Sequence, residues 1–239
     1  WSTRAPELEE EVALANVGLD LLGQARLLLA RAAKADPMVV PFISGTSPAP
    51  AEDALAFFRD EADFRNVRLT ELDNGDFAKS LVRLLVFSTW RLAVFTRLQE
   101  SRDPVLAAVA NKGVKELTYQ RDYAARWVVT LGCGTDESKR RVRDAVTRIW
   151  PYVSELFLPT DEEIALAKVG VAVDPRDIRE EFDSVLAQVL HAAELDTPEG
   201  KSVGTIGGRG GRRGIHTEAF GPLIAEMQVV ARAHPEGVW

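Results

Sequence analysis

Apolar residues recur at three- and four-residue intervals along most of the chain. The two-residue alternation of a half-buried strand hardly appears. The pattern predicts a long first helix from about Pro6 to Lys34. Pro6 suits a first-turn position, and Glu7, Glu9, Glu10 and Glu11 suit the positive end of the helix dipole. Leu8, Val12, Ala15, Leu19, Leu22 and Leu29 follow the helical spacing, and Leu14, Val17, Leu21 and Leu28 add a second apolar stripe. Apolar residues on both sides place such a helix at the centre of a bundle.

A proline-rich loop follows, with Pro37, Pro41, Pro48, Pro50 and Gly45 between Asp36 and Asp53. A second helix is predicted from about Ala51 to Leu72, broken by Asn74-Gly75. A third runs from about Phe77 to Glu100 and a fourth from about Pro104 to Leu131, stopped at Gly132-Cys133-Gly134. A fifth, from about Asp136 to Leu156, carries a kink at Pro151. Thr160 to Glu163 is a capping-box pattern opening a short helix, and Asp174-Pro175 opens another to about Leu195. The glycine- and arginine-rich stretch Gly204 to Gly214 precedes a last helix from about Glu218 to Ala233, with Thr217 as its cap. The expected fold is all-α: one domain over 1–239, an antiparallel four-helix bundle over about 6–131, and accessory helices over about 136–233.

Composition narrows the setting. The chain has 239 residues, a formal charge of −7 and a single cysteine, Cys133. The acidic balance argues against a general nucleic-acid binder. No uninterrupted apolar run approaches the roughly 20 residues of a membrane helix. One cysteine and no recognisable signal peptide suit a reducing, cytoplasmic setting. The start at Trp1, without an initiator methionine, suggests a truncated first helix.

Long bundles with polar interiors often house metals. A di-iron bundle site takes a carboxylate from each of two helices and a Glu-x-x-His pair from each of the other two. The second segment offers Glu61 to Phe64 and the fourth Glu116 to Tyr119: each has the glutamate and neither has the histidine. The third helix has no acidic residue from Phe77 to Gln99, and the first offers Asp20 between Asn16 and Gln24. Asp20, Glu61, Phe64, Glu116 and Tyr119 are therefore the positions of a relic site that holds no metal. The expectation is that Arg91 and Arg65 neutralise its carboxylates, because buried charges must be paired. The competing reading is a set of ordinary interhelical ion pairs. His191, His216 and His234 have no glutamate three residues before them. The glycine-rich stretch follows no strand, so it is neither a dinucleotide fingerprint nor a P-loop. It is a solvated loop or a contact for a phosphate or a partner.

Specific strings add a resemblance. They are Ala5-Pro6-Glu7-Leu8-Glu9, Ala15-Asn16 with Gly18 to Arg26, Arg59-Asp60-Glu61, Glu100 to Pro104, Lys115-Glu116, and Leu131-Gly132 with Gly134-Thr135-Asp136. Ala172 to Arg176, His216-Thr217-Glu218, Gly221-Pro222 and Ala225 to Gln228 complete the set. Together they resemble the C-subunit family of the bacterial phenylacetyl-CoA epoxidases. The loop Met38 to Pro50 is longer and more apolar than that family leads one to expect.

The resemblance implies a ferritin-like, non-catalytic subunit that scaffolds a homologous catalytic A subunit and carries no cofactor itself. The di-iron centre that activates dioxygen would lie in the A subunit. Electrons would come from NADPH through a separate reductase bearing flavin and iron–sulfur groups, and the ring of phenylacetyl-CoA would be epoxidised. The A subunit, further subunits and the reductase are the implied partners. The resemblance also implies substrate contacts at Asp63, Phe64, Arg65 and Asn66, with Arg65 meeting a CoA phosphate, and at Ile164, Ala165 and Leu166, bordering the ligand. A self-sufficient metal oxidase of the same fold and a stand-alone acyl-CoA binding module are the competing functions.

Overall fold

The computed structural model describes residues 4–43, 45–199 and 210–237. Among these residues there is no strand, and eight α-helices follow one another: α1 (Leu8–Ala35), α2 (Ala51–Phe57), α3 (Phe77–Leu98), α4 (Pro104–Gly132), α5 (Asp136–Ile149), α6 (Asp161–Lys168), α7 (Arg179–Ala192) and α8 (Phe220–Ala233). They divide into two compact units. One joins the residues up to Asp20 with those from Asn74 to 199, and the other joins Leu21–Asp73 with 210–237.

Helix starts follow local chemistry. Asp76 accepts a hydrogen bond from the Lys79 amide at 2.9 Å, and Asp103 accepts from Val105 and Leu106 at 2.9 and 3.1 Å, so α3 and α4 begin where the sequence places them. The capping box of α6 is complete, with Thr160 N to Glu163 at 2.8 Å and Glu163 N to the Thr160 hydroxyl at 3.2 Å. Three expectations are corrected. The fifth helix stops at Ile149 and continues as a 3-10 helix over Trp150–Phe157, because Pro151 has no amide hydrogen to extend the ladder. Asp174-Pro175 opens a 3-10 turn, Pro175–Ile178, before α7. Thr217 does not cap α8: its amide goes to Glu71 at 2.7 Å and its hydroxyl has no partner among the described residues.

The largest correction is the second helix. It ends at Phe57, and short 3-10 turns at Glu61–Asp63 and Arg68–Glu71 replace the expected run to Leu72. Side chains of α8 take the carbonyls that a longer helix would need. Gln228 donates to Arg59 O at 2.9 Å, and Arg232 donates to Phe57 O, Phe58 O and Arg59 O at 3.3, 3.3 and 2.8 Å. The helix is closed from outside its own sequence.

In the first unit α3 and α4 pack most extensively, and α5 and α7 lie against both. Helices expected outside the first-four bundle thus belong to this core. Its fully buried side chains include Leu81, Leu85, Leu117, Ile149, Leu156, Phe182 and Leu190. Gly132 lets α4 end directly on α7: a Cβ there would sit 2.3 Å from the Ala193 carbonyl oxygen.

α1 is covered on one side only: its stripe Leu14, Val17, Leu21 and Leu28 is half-buried or buried. Leu8, Val12, Leu19 and Leu22 are 71, 53, 65 and 63% exposed, whereas Val17 and Gln24 are buried. The expectation of a helix buried on both sides is therefore wrong. By length and composition alone, α1 is also apolar enough to cross a membrane. Asp20 and Arg26 interrupt the run in the sequence.

Phe182 is fully buried, with its ring edge-on to Phe157 at 5.0 Å between centroids. Phe182→Ala should cost about 3–5 kcal/mol in chemical denaturation, the usual range for a vacated aromatic core site.

Candidate functional site

In the second unit, stretches that look unrelated in sequence meet. Glu71, on the 3-10 turn Arg68–Glu71, is 2% exposed. Its carboxylate accepts hydrogen bonds from Asn66 Nδ2 at 2.8 Å, the Thr217 amide at 2.7 Å and His216 Nδ1 at 2.7 Å. An ionised carboxylate only accepts, and His216 Nδ1 is then the donor of that bond. The opposite ring nitrogen, Nε2, is buried with no partner among the described residues. The imidazole stacks on Phe220 at 4.1 Å, and Phe64 meets the same ring edge-on at 5.5 Å. The Arg59 guanidinium lies 4.3 Å over the Phe64 ring. Burial is the main cause that lowers the pKa of Arg59; the Asp63 carboxylate opposes it.

The turn Gly210 to Gly214 rests on the main chain of 62–68. A Cβ at Gly211 would lie 2.2 Å from Asn66 O, and one at Gly214, whose φ is +76°, would lie 2.6 Å from Ala62 O and 2.8 Å from Arg65 Nη1. Only glycine fits such an approach, and at Gly214 only glycine takes the left-handed backbone without strain. Arg65 is exposed and donates from Nη1 to Ala62 O at 2.5 Å and Phe64 O at 2.9 Å. Asp63 to Asn66, the described end of the arginine-glycine stretch and His216-Thr217 thus form one locus; Gly204 to Arg209 lie outside the described residues.

Glu61 and Phe64 lie on this locus, but not on a helix. Glu61 is exposed on a 3-10 turn and Phe64 follows it in extended backbone. The one-face i, i+3 geometry expected of them is therefore absent. Arg65 binds main-chain carbonyls rather than neutralising a glutamate.

The other relic positions lie in the first unit. Asp20 accepts from Gln120 Nε2 at 3.3 Å. Glu116 pairs with Lys112 at 3.3 Å, one turn away on α4. Tyr119 is 49% exposed and stacks on Tyr123 at 6.2 Å. The Tyr123 hydroxyl donates to Glu10, which also takes the Trp127 indole N–H at 2.9 Å. Burial first, and then the hydrogen bond to Glu10, hold the Tyr123 hydroxyl well above the ordinary tyrosine range. Arg91 neutralises no carboxylate among the described residues. Its guanidinium lies 4.3 Å over the Phe95 ring, its Nε has no partner among the described residues, and desolvation lowers its pKa to about 10. Ile164, Ala165 and Leu166 lie on α6 of the first unit, with Ala165 and Leu166 exposed.

Comparison with known proteins gives this geometry a context. A family model described as "Phenylacetic acid catabolic protein" matches residues 1–239. The chain is 41% identical to the C subunit of the 1,2-phenylacetyl-CoA epoxidase of Escherichia coli (strain K12) over 239 residues, covering all of this chain and 90% of that protein. The chain belongs to the phenylacetic acid catabolic protein family.

In this family member the resemblance names Asn66 and matches a string containing His216, but nothing in the sequence marks the carboxylate that joins them. Glu71 sits outside any regular helix, so no periodicity marks it as buried. Glu10 looks like one of four acidic first-turn residues, and only the α4 aromatics distinguish it. Among the described residues no three His, Cys, Asp or Glu side chains cluster closely enough to hold a metal ion.

Two outcomes follow. Glu71→Ala leaves the His216 ring, the Asn66 amide and the Thr217 N–H without their acceptor. It should cost about 3 kcal/mol or more in denaturant unfolding, since each stranded buried donor costs about 1–3 kcal/mol. Arg91→Met removes a desolvated cation that has no carboxylate partner, and should leave stability unchanged or raise it by about 1 kcal/mol. A loss above about 2 kcal/mol would reveal a charge partner for Arg91.

Proposed function

We propose that the chain is the non-catalytic C-type subunit of a phenylacetyl-CoA ring-1,2-epoxidase in cytoplasmic phenylacetate breakdown. In this reading it scaffolds a homologous, di-iron A subunit and contributes to holding the CoA thioester. The observation that carries the reading is the 41% identity along the whole chain to the C subunit of such an enzyme. Tyr119, where a Glu-x-x-His pair on α4 would have histidine, agrees with it. The ferritin-like part of the fold is read as the helices packed together in the first unit, α3, α4, α5 and α7. Other subunits and a reductase fed by NADPH complete the enzyme.

The locus around Glu71 supplies a physical role for substrate contact. The Arg65 guanidinium is exposed yet fixed by the Ala62 and Phe64 carbonyls, and the turn carrying Arg212 and Arg213 is close by. Arginines held this way suit a phosphate group, which prefers a preset fork of N–H donors. Glu71 then orients Asn66 and the turn without touching substrate. Ile164, Ala165 and Leu166, on α6 of the first unit, are proposed as separate apolar ligand contacts.

The test is co-expression with the sister subunits of the same enzyme, followed by sizing, metal analysis and turnover. The chain should co-elute with the A subunit, hold no stoichiometric iron when isolated, and be required for epoxidation. About two irons retained per isolated chain would favour a self-sufficient oxidase. Micromolar phenylacetyl-CoA binding by the isolated chain would favour a stand-alone acyl-CoA module. In the assembled enzyme Arg65→Ala should raise KM for phenylacetyl-CoA roughly tenfold or more with little change in kcat, as expected for loss of a charge-assisted hydrogen bond of about 1.5–3 kcal/mol.

A further inference from the structure

The second unit holds a cleft of about 260 Å³ that lies apart from the locus around Glu71. Phe57 and Phe58, where α2 ends, and Met227 and Val230, on α8, supply its apolar walls, and Pro48, Pro50 and Pro235 complete them. Polar bonds hold these walls in place. Thr46 Oγ1 donates to Glu236 and Ser47 Oγ to Pro235 O, both at 2.6 Å, which ties the proline-rich loop to the segment after α8. Arg232 donates to Phe57 O and Phe58 O at 3.3 Å each, and Gln228 to Arg59 O at 2.9 Å, which fixes the end of α2 against α8. A cleft formed before its ligand arrives loses little freedom on binding, and small-molecule sites are usually built so.

Size and charge say what fits. An apolar cavity of about 150 Å³ holds a benzene ring, so this cleft has room for one or two fused rings and a short arm. No lysine or arginine lines it; its ionisable side chains are Asp53 and His234. The acidic residues near Asp53 in the chain have cations of their own: Glu52 pairs with Arg26 at 3.6 Å and Asp60 with Arg232 at 3.2 Å. Asp53 is half-buried, and its carboxylate has no hydrogen-bond or ion-pair partner among the described residues. A carboxylate beside an apolar cleft attracts a cation, and the faces of phenylalanine rings do the same. An anion would meet the Asp53 charge with only the imidazole of His234 to offset it.

We propose that this cleft binds a protonated arylalkylamine of one or two fused rings. The ammonium group donates to the Asp53 carboxylate, a charge-assisted bond, and the ring system lies among Phe57, Phe58, Met227 and Val230. The site belongs to this chain alone, so it stands or falls separately from the subunit reading.

The test is calorimetric titration of the full chain with tryptamine, with its neutral isostere tryptophol and with the anion indole-3-propionate. Tryptamine should saturate one site with a Kd of about 1 mM or below. Tryptophol should bind at least about fivefold more weakly, and indole-3-propionate more weakly still. Asp53→Asn should weaken tryptamine about tenfold and leave tryptophol within about twofold, because only the amine loses a charge-assisted bond. Val230→Trp fills the cleft from a position already 54% exposed, so it should abolish binding of both compounds while helicity stays unchanged. Absence of saturable tryptamine binding by wild type up to about 10 mM overturns the site. Equal affinity for the three indoles, or a preference for the propionate, overturns the ammonium assignment. Tryptamine binding that persists undiminished in either variant places the amine elsewhere and overturns the site as well.

Discussion

A carboxylate taken out of water must be surrounded by donors, and Glu71 meets that demand with groups from two distant parts of the chain. Asn66 is five residues away; His216 and Thr217 are 145 and 146 residues away. Those bonds act with the burial of Val67 and Leu69 to order the segment after α2, which contains only two short 3-10 turns. The rings add apolar contact on one side: Phe64 and His216 both pack on Phe220. Polar satisfaction and aromatic packing therefore act on the same few residues, and the position of Arg65 is a by-product of both.

How much of this was legible in the sequence varies with how local the cause is. Asp76, Asp103 and Thr160 cap the helices they precede, and a reader of the sequence places α3, α4 and α6 closely. Pro151 announces a disturbance but not its form, because a missing amide can give either a kink or a 3-10 continuation. The end of α2 has no local signal at all. Gln228 and Arg232, about 170 residues later, take the role of cap, and no window around Phe57 contains them. The candidate site follows the same rule. The contact residues Asp63 to Asn66 came from resemblance, the glycine-rich stretch from composition, and their union depends on tertiary contacts that neither source reveals.

Periodicity also has a blind side, visible in α1. Spacing identifies two apolar stripes but does not say which faces inward: Leu14, Val17, Leu21 and Leu28 are half-buried or buried, while Leu8, Val12, Leu19 and Leu22 are exposed. Glu10 decides the matter through Tyr123 and Trp127, whose hydroxyl and indole N–H need an acceptor inside the unit. Arg91 shows the converse error. A basic residue on a helix that lacks acids suggests compensation for a neighbour's carboxylate, yet the guanidinium spreads over the Phe95 ring instead. An arginine can bury its stem and flat head against an aromatic face, so its presence in a core does not imply an ion pair.

The turn over Gly210 to Gly214 has the composition of a flexible linker, but its glycines are placed by contact with the chain at 62–66. Two of them stand where a methyl group would strike a carbonyl oxygen. Sequence drift in one stretch is thus tied to drift in the other. An alanine at Gly211 or Gly214 could persist only if the opposing stretch of main chain withdrew, which would carry Arg65 and Asn66 with it. Positions that look free to vary are in this way bound into the inheritance of the site.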